Sequence, residues 1–299
     1  MSRDPWAAYW AKADGARSES GCLPEADRSV APILETLWRE FAGTLRGKAR
    51  VLDLATGGGA VLRRLAAARK GLTLVGVDSA PALPAGPAGI RLIADVRMEA
   101  LPFGDASFDA VTSQFGIEYG DRARIAGETA RVLAPGGRVR LVVHDRASLI
   151  VRHNEARLRA LDWASKESGI LDKARGLARA RALSPLPTPE SFRAATSEAR
   201  RLFPEQPVAA EFAMAVLQTL EQGRGRPARE TIEVLDTLAA RAADEAGRIA
   251  ALLEAACDEG AAAAIGDRLK EAGLELDRLS AISERPGRAL AWLIDASRR

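Results

Sequence analysis

Arg50-Val51-Leu52-Asp53-Leu54-Ala55-Thr56-Gly57-Gly58-Gly59 is the stretch on which the fold turns. Val51 to Leu54 reads as a short buried strand, the glycines as a tight turn, and Val61 to Lys70 as a helix with apolar residues at helical spacing. A strand that passes into a helix through glycines lets a ligand reach the backbone with no Cβ in the way. It also offers the ligand the free N–H groups of the helix N-terminus.

The same alternation continues outward. Leu72 to Val77, Ile90 to Ala94, Phe108 to Phe115 and Arg138 to Val143 read as further strands, and Ala123 to Leu133 as a helix stopped by Pro135-Gly136-Gly137. Strands alternating with helices imply a mostly parallel sheet covered on both faces. Upstream, Pro32 opens an amphipathic run through Ile33, Leu34, Leu37, Trp38 and Phe41, so residues 1–47 read as a helical segment. After Asp145 strand signals vanish until about residue 261, and helical periodicity punctuated by Pro185, Pro187, Pro204 and Gly223 to Pro227 takes over. A helix from Ala261 to Ala272 and strands over Leu274 to Ser283 and Ala289 to Ala296, joined at Glu284-Arg285-Pro286-Gly287, predict a terminal hairpin. The expected organisation is thus a helical segment 1–47, an α/β domain made of 48–145 and 261–299, and a helical insertion 146–260.

Composition excludes several classes. Net charge is +3 over 299 residues, so no global field drives the chain to nucleic acid or membrane, although Arg146 to Arg201 holds 12 Lys/Arg against 6 Asp/Glu. Cys22 and Cys257 have no metal-ligand spacing, so no metal site is expected. No stretch is long and apolar enough to span a bilayer, and no cleavage signature opens the chain; a cytoplasmic protein is expected.

Three carboxylates fall near the carboxyl ends of successive strands, where open α/β sheets bind ligands. Asp53 precedes the glycines, where it orders the loop or faces a cation. Asp78, 25 residues on, is placed to accept both hydroxyl protons of a ribose, and Asp95 with Val96 to grip an adenine edge and face. Gly57 and Gly59 fit two positions of a dinucleotide turn, but Leu62 stands where that pattern needs Gly or Ala.

VLDLATGGG, LVGVD, IADVRMEALPFGDASFDAVTSQFGIEY and RVLAPGGRVRLVV, in this order, resemble the motifs of class I S-adenosylmethionine-dependent methyltransferases, in particular the subgroup with the ubiquinone/menaquinone C-methyltransferases. The resemblance covers about 48–145 and resumes at the terminal hairpin. It implies a Rossmann-like, seven-stranded, mostly parallel sheet with a C-terminal antiparallel hairpin. It implies S-adenosylmethionine as cofactor, with S-adenosylhomocysteine as product. Asp53, Ala55, Thr56, Gly57 and Gly59 would line its methionine and ribose, Asp78 and Ser79 the ribose, and Asp95 and Val96 the adenine. Gln114, Phe115 and Gly116 would border the sulfonium and the methyl acceptor. Relatives more often have Gly where Ala55 stands, and they run from the fifth strand almost directly to the last helix. Here about 115 residues intervene, and this insertion is expected to form a lid or a substrate-binding subdomain.

His144 and His153, the two histidines of the chain, are the candidate bases for deprotonating an acceptor, with a satisfied strand-end histidine the plain alternative for His144. Tyr9, Trp10, Tyr119 and Arg152 are candidate substrate contacts. Trp6, Tyr9 and Trp10 also suit a helix simply packed on the domain. The function expected is methyl transfer to an O, C or N atom of a small molecule. The alternatives are an RNA or protein docked by the basic insertion, a non-catalytic cofactor-binding protein, and a nicotinamide oxidoreductase. After the fourth strand Ser113 to Gly116 replaces the Asn/Asp-Pro-Pro-aromatic motif of the exocyclic-amine methyltransferases of DNA, which argues against that class and against many enzymes acting on RNA or glutamine; a macromolecular substrate stays open because the insertion could bind one.

Overall fold

The structure, a computed structural model, describes residues 6–10 and 30–299. Cys22 lies outside the described residues. Within the N-terminal segment the helices are α1 (Ala7–Trp10) and α2 (Val30–Thr44), the latter carrying Pro32 in its first turn, where a missing N–H costs nothing.

Residues 1–152 and 251–299 form one compact unit. Its strands are β1 (Arg50–Leu54), β2 (Thr73–Val77), β3 (Ile90–Ile93), β4 (Phe108–Gln114), β5 (Leu133–His144), β6 (Glu275–Arg285) and β7 (Arg288–Ser297). They build one seven-stranded sheet in the order β3-β2-β1-β4-β5-β7-β6. The pairs from β3 to β5 are parallel; β7 runs antiparallel to both β5 and β6. The reversal follows from the hairpin, whose Gly287 takes φ 76° at the turn.

Central strands are apolar on both faces because both faces are covered. Val51, Leu74, Ala110 and Val142 pack under α2 and α3 (Ala60–Ala68), together with Leu34, Trp38, Phe41 and Leu62. Their neighbours in sequence, Leu52, Val75, Val111 and Leu141, point the other way, onto α4 (Arg122–Val132) and the last helix of the chain (Glu259–Glu271) through Ile125, Ala126, Ile265 and Leu269. Each fully buried Leu, Ile or Val contributes about 1.5–3 kcal/mol. Asp121 caps α4 by accepting from the Ala123 and Arg124 N–H groups, so that helix starts at a fixed point above the sheet.

Two expectations need adjusting. β5 begins at Leu133 and runs through Pro135-Gly136-Gly137, because Gly136 N–H donates to Arg298 O at 2.8 Å and Arg298 N–H to Gly137 O at 3.0 Å. The long helical run 227–259 is interrupted: after Ala255 the chain extends, and Cys257 forms a parallel bridge with Asp145.

Residues 153–250 form the second compact unit. It holds the end of α5 (Leu149–Asp162), a π-turn (Trp163–Glu167), α6 (Ile170–Arg181), α7 (Ser191–Leu202), α8 (Val208–Gln222) and most of α9 (Ala228–Ala255); the last helix of the chain is therefore α10. Its own core joins Leu161, Ile170, Phe192, Phe212, Val216, Leu220 and Leu235. Arg181 donates to Leu186 O, Leu220 O and Thr188 Oγ1 at 2.9, 2.6 and 2.7 Å, tying the proline-rich connection to α8. Among the described residues no helix is long and apolar enough to cross a membrane.

Candidate functional site

The parallel strands bring their carboxyl ends to one edge: β1 ends at Leu54, β2 at Val77, β3 at Ile93 and β4 at Gln114. Ala55, Asp95 and Phe115, just beyond three of these ends, have φ of 50°, 57° and 58°. A left-handed backbone costs a residue with a Cβ roughly 1–2 kcal/mol, and such strain gathers where function holds it in place.

A cavity open to solvent lies here. Asp53, Ala55, Thr56, Gly58, Asp78, Ser79, Gln114, Phe115, Gly116 and Tyr119 line it, with Trp6, Trp10 and Met98 closing its sides. Asp78 is held from both directions: Gly57 N–H donates to Oδ2 at 2.9 Å and Ala80 N–H to Oδ1 at 3.0 Å. Asp53 is 1% exposed and accepts from Thr112 Oγ1 at 2.7 Å. Burial pushes its pKa up to about 7; the Asp78 charge adds to this, and hydrogen bonds from Thr56 and Thr112 oppose it.

Glycine is required at two places. Gly57 has φ 49°, and a Cβ there would collide with the Trp10 indole, so the close approach to this backbone is made by an aromatic side chain of the protein itself. A Cβ on Gly116 would meet the Ala55 methyl, which explains how an alanine is accommodated in the turn. Gly59, at φ 77°, packs toward Leu92 and does not line the cavity.

Asp95 and Val96 lie beside the cavity rather than in its wall; Val96 N–H donates to Asp78 O at 2.9 Å and Asp95 N–H to Ala80 O at 2.9 Å, which stitches their loop to that of Asp78. Tyr9 meets Trp6 and Trp10 edge-on, with ring centroids 5.9 and 4.9 Å apart, and Trp6 meets Tyr119 in the same way at 5.9 Å. Arg152 is exposed on α5, where its charge holds down the Asp145 pKa against the larger upward effect of burial. His153 belongs to the second unit, with Nδ1 3.5 Å from Gln206 Nε2.

His144, the last residue of β5, is fully buried and stands one layer behind the cavity wall, its ring stacked on Phe115 at 4.2 Å. Glu118 Oε1 accepts from the His144 backbone N–H at 3.0 Å and lies 2.7 Å from Nδ1. Glu118 belongs to the single 3₁₀ turn Ile117–Tyr119 and was not singled out in the sequence; its one signal there is a carboxylate two residues past Gly116. Trp38 was read only as part of an amphipathic helix, yet its Nε1–H donates to Gln114 Oε1 at 2.7 Å. Met98 carries no signal in the sequence as a lining residue. Cys257 is buried and its thiol is pushed up to about 11 by desolvation, which leaves it protonated.

A family described as "Methyltransferase domain" matches residues 52–141. A demethylmenaquinone methyltransferase of Thermus thermophilus is 39% identical over 113 residues, covering 34% of this chain and 51% of that protein. A ubiquinone/menaquinone biosynthesis C-methyltransferase of a Geobacter species is 34% identical over 120 residues, covering 36% and 51%. The chain thus spans about half the length of these curated relatives. A solved structure of a SAM dependent methyltransferase from Aquifex aeolicus is similar at 12% identity and a TM-score of 0.45, over 91% of this chain and 93% of that one.

Proposed function

We propose, from the premise that this chain carries a class I S-adenosylmethionine-dependent methyltransferase domain, that it transfers the cofactor's methyl group to an O, C or N atom of a small-molecule acceptor. The observation that carries this reading is Asp78: a carboxylate at the end of β2, fixed by two backbone N–H groups and lining a cavity. A vicinal diol presents two O–H donors, and a carboxylate already oriented in this way is their natural acceptor. The residues present therefore fit the cofactor. Asp95 and Val96, on the loop tied to Asp78, would hold the adenine. Ala55, Thr56 and Gly57 would border the ribose and amino-acid arm, with Gly59 fixing the turn.

Bound S-adenosylmethionine supplies an electrophilic methyl on a sulfonium. The aromatic faces of Trp6, Phe115 and Tyr119 would favour that positive charge and keep water away from it. The same wall would orient the acceptor for in-line approach, which by itself provides much of the acceleration in a two-substrate transfer. His144 with Glu118 is assigned to holding Phe115 in its left-handed conformation, not to proton transfer. The small-molecule acceptor is supported by the relatives named above, which are themselves named for menaquinone and ubiquinone methylation.

Titration calorimetry tests the reading. S-adenosylhomocysteine is expected to bind one-to-one and NAD to give no heat; binding of NAD with none of S-adenosylhomocysteine would overturn it.

A further inference from the structure

Gln114 lines the cavity, and its amide has one orientation. Trp38 Nε1–H is a donor only, and it sits 2.7 Å from Gln114 Oε1. Turning the amide over would set two donors against each other, so the carbonyl faces Trp38 and the NH₂ is left to face elsewhere. Trp38 is 0% exposed and locked among Leu34, Phe41 and Val142, so the arrangement does not depend on a mobile partner. Among the described residues the Gln114 NH₂ has no hydrogen-bond acceptor.

The remaining polar lining is two carboxylates with the hydroxyls of Thr56, Ser79 and Tyr119. Among the described residues, Asp53 and Asp78 are the charged residues of the cavity wall, and no lysine or arginine lines it. An amino acid arm carries an ammonium and a carboxylate, so its site needs an acceptor and a donor side by side. β1 and β4 are adjacent and parallel, with Asp53 opposite Thr112 and Leu54 opposite Ser113, which brings Asp53 and Gln114 to the same end of neighbouring strands. Asp53 is an acceptor and Gln114, as turned by Trp38, a donor.

Resting on the function proposed above, we infer that Gln114 donates to the α-carboxylate of the cofactor's amino-acid arm and that Trp38 is the positioning residue that turns it to do so. The clamp is neutral on the carboxylate side. A lysine there would form an ion pair with Asp53 or Asp78 when the cofactor is absent; a neutral amide has no charge with which to do so.

The test compares S-adenosylhomocysteine with 5′-methylthioadenosine, which keeps the adenosine and sulfur but lacks the amino-acid arm. Calorimetry on the full chain is expected to show Gln114→Met weakening S-adenosylhomocysteine by roughly 10- to 100-fold, the range for one hydrogen bond to a charged group, while 5′-methylthioadenosine binds as to wild type. Gln114→Glu should weaken the first ligand further, because it sets a carboxylate against a carboxylate. Trp38→Phe should reproduce the selective loss in milder form, a pattern that general core damage would not give, since damage weakens both ligands. Equal loss of both ligands in the Gln114 variants, or loss of neither, overturns the assignment and leaves the cofactor reading standing. Failure of wild type to bind either ligand overturns both.

Discussion

Among the described residues, the buried charged or titratable residues of the first unit are Asp53, Asp78, Glu118, Arg140, His144, Asp145 and Cys257; in the second the buried polar residues are Asn154, Thr188, Thr196, Gln206 and Thr231, none of them charged. Backbone strain divides in the same way. Every non-glycine residue with positive φ among the described residues, Lys48, Ala55, Asp95, Ala106 and Phe115, lies in the first unit, whereas in 153–250 positive φ occurs at Gly169 and Gly225. Natural sequences are locally consistent except where function demands otherwise. By that measure the α/β unit carries the buried charges and the backbone strain, and the ion pairs of the helical unit lie near its surface. The local basic excess read over Arg146 to Arg201 also fades across the unit: residues 153–250 hold 15 Lys/Arg and 14 Asp/Glu.

The contrast can be broken by substitution, most severely at Asp78. Replacing it by alanine removes the acceptor for a diol and orphans the Gly57 and Ala80 N–H groups. Two charge-assisted hydrogen bonds are lost, so S-adenosylhomocysteine affinity should fall by about 100-fold or more in a calorimetric titration. Unchanged affinity would place the ribose elsewhere.

Gly57→Ala comes next. The new Cβ meets both a left-handed φ and the Trp10 indole, so stability should drop by roughly 2 kcal/mol or more in a denaturant titration, at least about 1 of it from the backbone. Adding Trp10→Ala should recover the steric part and leave the backbone part.

Asp53 supplies a pH dependence. Its folded pKa of about 7 lies above the ordinary 3.8, so the fold holds a proton that the unfolded chain has already released. Its contribution therefore makes the ligand-free protein less stable as pH rises from about 4 to about 7, and a cationic ligand reverses the preference by favouring the ionised form. S-adenosylhomocysteine affinity should rise about tenfold from pH 6 to pH 8, with proton uptake by the buffer, and Asp53→Asn should flatten the profile. A profile that is flat in the wild type would remove Asp53 from the amino-acid arm.

The smallest effect sharpens the comparison from the other side. Arg175 pairs with Asp236 at 2.7 Å and Asp172 at 3.2 Å, and both carboxylates are exposed. Arg175→Ala should cost under about 1 kcal/mol in the unfolding of the chain and leave ligand affinity within error.

What could be read from the sequence followed the range of the interactions. The strands β1 to β4 and the helices between them were legible because buried faces repeat locally. Asp78 was legible because a strand end and a glycine turn announce it. The start of β5 at Leu133 was not, since Arg298 at the far end of the chain pairs with Gly136 and Gly137. Nor was the break after Ala255, where Cys257 N–H donates to His144 O at 2.8 Å. The π-turn Trp163–Glu167 also escaped, because a helix with one wider turn keeps its periodicity. At the site, Trp38 and Gln114 are 76 residues apart, and Glu118 and His144 are 26 apart. Pairs of this kind have no local pattern, so Gln114 and His144 stand out in the sequence as candidate site residues while their partners Trp38 and Glu118 do not.

The central claim is that the edge where β1, β2 and β4 end is the cofactor site, and a crystal structure with S-adenosylhomocysteine bound tests it most directly. The account predicts both ribose hydroxyls on the Asp78 carboxylate and the amino-acid arm between Asp53 and Gln114. A ligand bound with its ribose away from Asp78, or at another part of the chain, would contradict it.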